Sequence, residues 1–214
     1  MTFDLDTFIR ESNLIDAQFD INGILIPGAK PGDPMYDNQL AAWAVAQDYA
    51  ISENIPNTVA LDIHRALTKG IDFFELSNMS GQYRRCGVRI GWENCPSFND
   101  VPGLMDKIWY PILKDIHVQQ PLDITDIKNT LAAELFESLG WYIHNLFECI
   151  HPFIDGNGRT GRLLLNLVCT RYGIPPVIVE YDQRQDYYRQ IQSFRERIFN
   201  QYLENYRELE SNNQ

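Results

Sequence analysis

The sequence HPFIDGNGRTGR, residues 151–162, is a dense cluster of chemically reactive side chains in a chain otherwise poor in such clusters. It holds an imidazole, a carboxylate, an amide, two guanidinium groups and three glycines. Because Pro152 disfavours helical backbone angles at the residue before it, a helix should end at His151. A second helix should begin near Gly158–Thr160 and end around Tyr172, just before a glycine. The sequence therefore predicts a loop between two helices.

Outward from this loop, the apolar pattern is mostly helical. Apolar residues recur at three- and four-residue steps before the loop, which predicts a long helix with a wide apolar stripe. The predicted helices are Tyr36–Ser52, Thr58–Lys69, Leu131–Ile150 and Arg184–Leu209. A short β-hairpin is expected in Gln82–Ile90, between Gly81 and Gly91, and an ordered loop in Ile24–Pro34. The fold class is therefore mainly α, a single helical domain with a short hairpin.

Composition narrows the classes of function. The chain has 214 residues, 44% hydrophobic, and a net charge of −11, so it can bury a large core and should repel nucleic acid. Its four cysteines form no C-x-x-C pair, which favours reduced thiols. Neither a leader peptide nor an apolar run of membrane-spanning length is recognisable. These features predict a cytoplasmic protein without membrane partners, although delivery into another cell is compatible with them.

The loop residues suit a polyphosphate. Glycines at a helix start let backbone N–H groups converge on an anion, and Arg159 and Arg162 share one face of the first turn. Asp155 offers one hard oxygen ligand for Mg²⁺, and His151 is the natural proton acceptor near pH 7. The loop lacks the lysine of a P-loop. The alternative interpretation is a glycine-rich turn whose arginines are solvated. The other histidines, His64, His117 and His144, are assigned no role.

The sequence His151-Pro-Phe-Ile-Asp-Gly-Asn-Gly-Arg-Thr-Gly-Arg162 resembles the signature of the Fic family, H-x-F-x-[DE]-G-N-G-R-x-x-R, at every specified position. The resemblance extends from about Asp37 to about Arg195. It implies an α-helical core that presents the loop opposite a β-hairpin flap. It also implies transfer of AMP from ATP to a Tyr, Thr or Ser hydroxyl of a target protein.

The resemblance also assigns roles to the loop residues. His151 is the expected base, and Asp155 the expected ligand of Mg²⁺, with Mn²⁺ as an alternative ion. Asn157 is expected to orient the α-phosphate and Arg159 to neutralise the leaving pyrophosphate. Arg162 is expected to bind the γ-phosphate. The backbone amides expected to hold the phosphate chain are those of Gly156 and Gly158. Phe153 is interpreted as a buried anchor of the loop.

Two further groups follow from the resemblance. The residues at the positions of the family's adenine pocket are Tyr187, Tyr188 and Ile191. The same aromatic residues could instead be ordinary core contacts, and Arg195 stands where relatives often have Asn. The candidate target contacts of the flap are Gln82, Tyr83, Arg84 and Val88, which could equally be solvent-exposed hairpin residues.

The resemblance divides the chain into an N-terminal segment, residues 1–35, which is expected to hold a degenerate inhibitory helix, and a Fic-type catalytic domain, which is expected over residues 36–214. Ser12-Asn-Leu-Ile-Asp16-Ala17 resembles the family's inhibitory motif, [ST]-x-x-x-E-[GN], in which the Glu binds the second motif arginine, here Arg162. Asp and Ala depart from that pattern, and Asp is one methylene shorter than Glu. Asp16 is therefore either an inhibitory carboxylate or an ordinary acid of an N-terminal helix.

The leading hypothesis is a protein adenylyltransferase that uses MgATP and is self-inhibited through Asp16. One alternative is an enzyme that removes AMP from a modified target, with a carboxylate positioning water. The other is a nucleotide-dependent binding module without catalysis. A homodimer is compatible with the sequence, which identifies neither the target protein nor the modified hydroxyl.

Overall fold

The structure is a computed structural model that describes residues 3–16, 30–118 and 130–212. Its helices are α1 (Leu5–Ile15), α2 (Pro34–Ile51), α3 (Val59–Thr68), α4 (Asp72–Ser77), α5 (Val101–Leu104), α6 (Tyr110–Val118), α7 (Thr130–Ile150), α8 (Asn157–Arg171), α9 (Arg184–Phe194) and α10 (Asn200–Asn212). The expected loop at 24–34 falls largely outside the described residues. None of the described helices is both long and apolar enough to cross a membrane.

The core is built around α7 and α8, which pack side by side. Nearly every residue of α8 from Arg159 to Cys169 is buried, so α8 is the central helix. The prediction of a long helix ending at Ile150 is confirmed by α7, although Leu135 of its predicted apolar stripe is 56% exposed. Because α7 and α8 meet directly at the loop between them, the loop is held by the central helix pair of the core.

The outer helices cover this pair. α2 packs against α3 and α8, and its contact surface is made of the fully buried alanines Ala42, Ala46 and Ala50, whose small side chains let helices approach closely. The N-terminal helix α1 lies against α2 and α8. It is amphipathic, and Phe8 and Ile9 are fully buried in the core. Burial of these two side chains holds α1 against the core.

Two pairs of helices are joined by π-helical turns. Met105–Trp109 joins α5 to α6, and Arg195–Phe199 joins α9 to α10, so each pair forms one continuous helical region. Sequence periodicity predicted the second region but not the first. Pro102 lies in the first turn of α5, and Pro111 lies in the first turn of α6. Because proline is expected at the start of a helix, these two residues indicate separate helices and not one continuous region.

The β-hairpin lies further along the chain than predicted. Its strands are β1 (Arg89–Ile90) and β2 (Glu93–Asn94), antiparallel, with Ile90 opposite Glu93. Gly91, with φ of 58°, begins the two-residue turn, which needs this positive backbone angle. Residues 82–88 are not strand, so the prediction of a hairpin in Gln82–Ile90 was wrong in its bounds. Gly91 was interpreted as the end of the hairpin, whereas it forms the turn.

Candidate active site

The loop between α7 and α8 borders a cavity of about 750 Å³. Its wall includes His151, Asp155, Gly156, Asn157 and Gly158 of the loop. The hairpin contributes Arg89, Ile90, Gly91 and Glu93, and α9 contributes Tyr187, Tyr188 and Ile191. The motif, the hairpin and the predicted adenine-pocket residues therefore surround one cavity.

His151 is held in an uncommon backbone conformation, with φ of 53°. Its Nδ1 lies 3.3 Å from the carbonyl oxygen of Glu148, so a proton on Nδ1 can be donated there. The other nitrogen, Nε2, is then free to accept a proton. Burial lowers the pKa of His151 to about 4, which keeps the ring neutral at pH 7. The imidazole is thus in the form that a base requires.

The start of α8 is arranged for an anion. Gly156, with φ of 79°, precedes the first residue of the helix, and no side chain caps the helix start with a hydrogen bond. Arg159 is 3% exposed and its Nη1 has no hydrogen-bond partner among the described residues. A buried guanidinium with an unused donor is costly unless a ligand satisfies it. Together with the helix N-terminus, it presents donors suited to an anion.

Asp155 is half-exposed at the rim of the loop, and its Oδ2 lies 3.5 Å from Nη2 of Arg159. The described residues contain no group of three or more His, Cys, Asp and Glu side chains that could hold a metal. A single accessible carboxylate fits Mg²⁺ that is coordinated mainly by phosphates and water.

Asn157 is committed to the loop itself. Its Oδ1 accepts a hydrogen bond from the backbone N–H of Phe153 at 2.8 Å, and its Nδ2 donates to the Phe153 carbonyl at 2.9 Å. Phe153 is fully buried, which confirms its interpretation as an anchor. In this structure the amide of Asn157 therefore closes the loop, and its role in orienting a phosphate stays a prediction.

His64 supports the loop from below, a contact that the sequence did not reveal. Its ring stacks on Phe153 with centroids 3.7 Å apart, and its Nε2 lies 3.0 Å from the Asp155 carbonyl oxygen. Its Nδ1 accepts a hydrogen bond from the Gly81 N–H, so Nε2 carries the proton and donates to Asp155. His64 thus connects α3 to the loop. Only the folded structure brings it there, 91 residues away along the chain.

Arg162 is buried, and its guanidinium binds Ser12 of α1 and Asp16 at the end of that helix. It donates from Nε to Ser12 Oγ at 2.8 Å, and from Nη2 to the Ser12 carbonyl at 2.7 Å and to Asp16 Oδ2 at 2.9 Å. Burial alone would lower the pKa of Arg162, but the charge of Asp16 raises this pKa above its usual value. Asp16 Oδ2 also lies 3.6 Å from Nε of Arg159. The carboxylate therefore stands between the two motif arginines.

The same carboxylate fills the space above Gly158. A Cβ at that position would lie 2.6 Å from Asp16 Oδ1, so only glycine leaves room for it. Tyr188 fixes the end of α1 by donating from its hydroxyl to the Ile15 carbonyl at 3.0 Å. Despite its shorter side chain, Asp16 thus reaches the second motif arginine, where the family pattern has Glu.

The predicted adenine-pocket residues differ in environment. Tyr187 is buried and its hydroxyl accepts a hydrogen bond from Nη1 of Arg162 at 3.2 Å. Tyr188 is 41% exposed, and Ile191 is buried behind it. Arg195 is buried and lies 3.4 Å from Glu93 of β2, which links the end of α9 to the hairpin. The cavity is therefore closed on this side by α9 and the hairpin together.

The candidate target contacts at the base of the hairpin differ in their exposure to solvent. Gln82 is exposed and Val88 and Tyr83 are partly buried, whereas Arg84 is 2% exposed. Arg84 donates to the carbonyl oxygens of His151 at 2.8 Å, Cys86 at 2.9 Å and Pro96 at 2.7 Å. Its side chain faces inward, so the expectation of a surface contact with the target is wrong for Arg84. Instead it joins the loop to both ends of the hairpin.

Because three carbonyl oxygens share this guanidinium, we expect Arg84→Met to lower the free energy of unfolding by about 3 kcal/mol, roughly 1 kcal/mol for each carbonyl left unpaired. Urea unfolding followed by circular dichroism measures this difference. The matched control is Arg85→Met, since Arg85 is exposed and should change stability by less than about 0.5 kcal/mol. Equal effects of the two substitutions would contradict the proposed role of Arg84.

Trp92 at the hairpin turn is 97% exposed, and sequence reasoning assigned it no role. It is among the exposed large apolar side chains of the described chain, next to the cavity. Its placement in the turn depends on the register of β1 and β2. Since the hairpin was predicted within Gln82–Ile90, Trp92 could not be recognised as the tip of the hairpin.

The site combines a neutral imidazole, two buried guanidinium groups and a glycine-rich helix start within a helical domain. The family model described as the Fic/DOC family matches residues 54–169. The chain belongs to this family.

Named relatives share this region. The protein adenylyltransferase Fic of Drosophila erecta is 34% identical over 160 residues, covering 71% of this chain and 28% of the relative. Fic-1 (residues 134–508) of C. elegans has a similar fold, with a TM-score of 0.56 and 24% identity over 87% of this chain and 54% of the other. A Fic family protein of Desulfovibrio desulfuricans gives a TM-score of 0.55 at 24% identity, covering 88% of this chain and 56% of the other. The chain thus spans little more than a quarter of the curated relative and about half of the solved structures.

Proposed function

We propose that this chain is a protein adenylyltransferase that moves AMP from MgATP to a Tyr, Thr or Ser hydroxyl of a target protein. The observation that carries the proposal is the placement of the free Nε2 of His151 in the same cavity as the phosphate site at the start of α8. The Drosophila relative bears the name of this activity. The four cysteines are free thiols, and both this and the proposed use of ATP support action in the cytoplasm.

The proton transfer is assigned to His151. The target hydroxyl enters from the hairpin side of the cavity, and its proton passes to Nε2 as its oxygen attacks the α-phosphorus. The bond between the α-phosphorus and the bridging oxygen to the β-phosphate breaks, and pyrophosphate leaves. A positioned base of this kind contributes roughly 10²–10⁴-fold to the rate.

The phosphates are assigned to α8 and the loop. The backbone N–H groups at Gly156 and Gly158 face the phosphate chain, and Arg159 and Arg162 neutralise the charge that gathers on the leaving group. Asp155 would hold Mg²⁺, which supplies further neutralisation of phosphate charge when bound. Because the groups are already fixed by burial, the protein acts mainly by positioning and by electrostatic stabilisation.

Self-inhibition is part of the proposal. Asp16 and Ser12 occupy the donors of Arg162 that a γ-phosphate would need, and Asp16 places a negative charge where that phosphate would lie. ATP can then bind only in a non-productive position, or after α1 has moved. These contacts support an inhibited state for the proposed enzyme.

Removal of AMP is a second candidate, which the position of Asp16 favours. Its carboxylate is 25% exposed at the cavity, so it can accept a hydrogen bond from a water molecule there. If this is the main activity, Asp16→Gly should lose AMP removal from a modified protein. If transfer is the main activity, the same variant should gain it. A binding module without chemistry would need neither Asp16 nor the base His151.

The test is incubation of the purified chain with Mg²⁺ and ATP labelled either on the α- or on the γ-phosphate. We expect the chain, or a protein in an added lysate, to retain the α-label and not the γ-label, with a mass increase of one AMP group. Retention of the γ-label would instead show phosphoryl transfer. Saturable ATP binding without label on any protein would support the binding module.

A further inference from the structure

Glu148 is a buried acid next to the proposed base. It lies on α7 one turn before His151, is 5% exposed and forms part of the cavity wall. Its Oε2 lies 3.8 Å from Nδ1 of His151, and its own carbonyl oxygen lies 3.3 Å from the same nitrogen. Glu148 precedes the family signature, and neither the motif nor the residue roles given above account for it.

The surroundings of Glu148 are shaped to accommodate its carboxyl group. A Cβ on Gly161 of α8 would lie 2.5 Å from Glu148 Oε1 and 2.9 Å from His144 Nδ1, so glycine is required there. Oε1 has no hydrogen-bond partner among the described residues. Burying an acid in this way costs stability that an apolar residue would not cost. Its position beside His151 suggests what the chain gains from it.

We propose that Glu148 is the positioning residue of His151: its carboxyl group beside Nδ1 keeps the proton on that nitrogen, leaves Nε2 free, and balances the imidazolium formed during transfer. The catalytic consequence of this positioning role rests on the proposed transfer reaction, but the tautomer of His151 that the role predicts can be measured without ATP. It is a partnership of the kind in which a carboxylate orients a histidine base.

The proton balance is as follows. The hydroxyl proton of the target moves to Nε2, so His151 carries two N–H groups and one positive charge. The Nδ1–H then points toward the carbonyl and Oε2 of Glu148, and the proton on Nδ1 stays there throughout. After pyrophosphate has left, the imidazolium returns its Nε2 proton to solvent. Glu148 is neither consumed nor covalently changed.

The charge on Glu148 determines how strongly it acts. Burial is the largest cause that raises the pKa of Glu148 to about 8, and the charge of Asp16 also raises it. An ionised Glu148 favours the imidazolium, so His151 becomes a stronger base as pH rises through 8. The other titratable or charged groups that face Glu148 are Arg162, Arg195, Tyr187, Tyr188, Cys95, Cys149, His144 and His151.

The direct test uses the full chain labelled with ¹⁵N-histidine, without nucleotide, and follows the four histidines by NMR across pH 5–10. We expect His151, assigned from the spectrum of His151→Asn, to be the Nδ1–H tautomer and to show a change in shift near pH 8. Glu148→Gln, which keeps shape, should remove that change. Glu148→Asp, which keeps a titrating carboxyl, should retain it.

Two controls separate Glu148 from its neighbours. Cys95→Ser should leave the change near pH 8 in place, which excludes the nearby thiol as its origin. Glu134→Gln, an exposed acid on the same helix, should also leave it unchanged. A change that persists in Glu148→Gln, or one absent from the wild type, would overturn the proposal.

Kinetics supply the second measurement. In Glu148→Gln, kcat for AMP transfer should fall about 10- to 100-fold, part of what a positioned base contributes, while KM for ATP stays within about twofold. The rise of kcat between pH 7 and 9 expected for the wild type should flatten. An unchanged kcat would overturn the positioning role. Failure of the wild type to transfer AMP at all would contradict the proposed function, whereas the NMR result would still stand.

Discussion

His151→Asn should reduce AMP transfer by about 10³-fold while leaving ATP binding within about twofold of the wild type. Asn has no group that accepts a proton near pH 7, but it tolerates the positive φ that His151 adopts. The loop backbone and the phosphate site should therefore be preserved. The measurements are the rate of α-label incorporation and the dissociation constant for a fluorescent ATP analogue.

A comparison with His151→Ala distinguishes loss of the base from loss of the loop. Ala lacks the base but tolerates φ of 53° poorly, so it should lose activity to the same degree and be less stable than Asn. If Asn and Ala both lost ATP binding, His151 would be acting as a structural residue. Activity within tenfold of the wild type in Asn would contradict its assignment as base.

Asp16→Gly should increase AMP transfer by roughly 10- to 100-fold. The substitution removes the carboxylate that binds Arg162 at 2.9 Å and that lies 3.6 Å from Arg159. A hydrogen bond to a charged group contributes roughly 1.5–3 kcal/mol, which corresponds to this range in an equilibrium between closed and open states. Ser12 still accepts two hydrogen bonds from Arg162, so the release should be incomplete.

Asp6→Asn is the matched control for Asp16. Asp6 lies on the same helix and pairs with Arg10 and Tyr36 on the surface, away from the motif arginines. It should leave the transfer rate within about twofold of the wild type. If Asp6→Asn activated the chain as strongly as Asp16→Gly, the effect would come from loosening of α1 as a whole. If neither variant changed the rate, Asp16 would be an ordinary acid of that helix.

The parts of the site that are local in sequence could be predicted. The loop residues from His151 to Arg162 are twelve consecutive positions, so a helix end, two glycines and a helix start suffice to bring them together. The bounds of α7 and α8 followed from apolar periodicity and from Pro152 for the same reason. The contact of Asp16 with Arg162 was foreseen only through resemblance, because 146 residues separate them.

The parts that depend on tertiary contacts could not be predicted. Arg84 resembles a solvent-exposed strand residue in sequence, and only the three carbonyls that converge on it explain its burial. Glu148 occurs in an apolar stripe where a carboxylate would be expected to face solvent. The place of His64 beneath the loop depends on its stacking on Phe153. In each case the partner is distant along the chain or its geometry is set by backbone carbonyls.

The attachment of Ser12 and Asp16 to Arg162 within one chain has a consequence for how inhibition responds to conditions. Because the inhibitory residues and Arg162 belong to one chain, closing is an intramolecular step whose equilibrium does not depend on protein concentration. Diluting the protein therefore leaves the inhibited fraction unchanged. Raising ATP shifts this fraction only when the ATP concentration exceeds the dissociation constant for ATP by about the ratio of closed to open forms. The proposed enzyme would thus respond to whatever moves α1 more readily than to its own abundance.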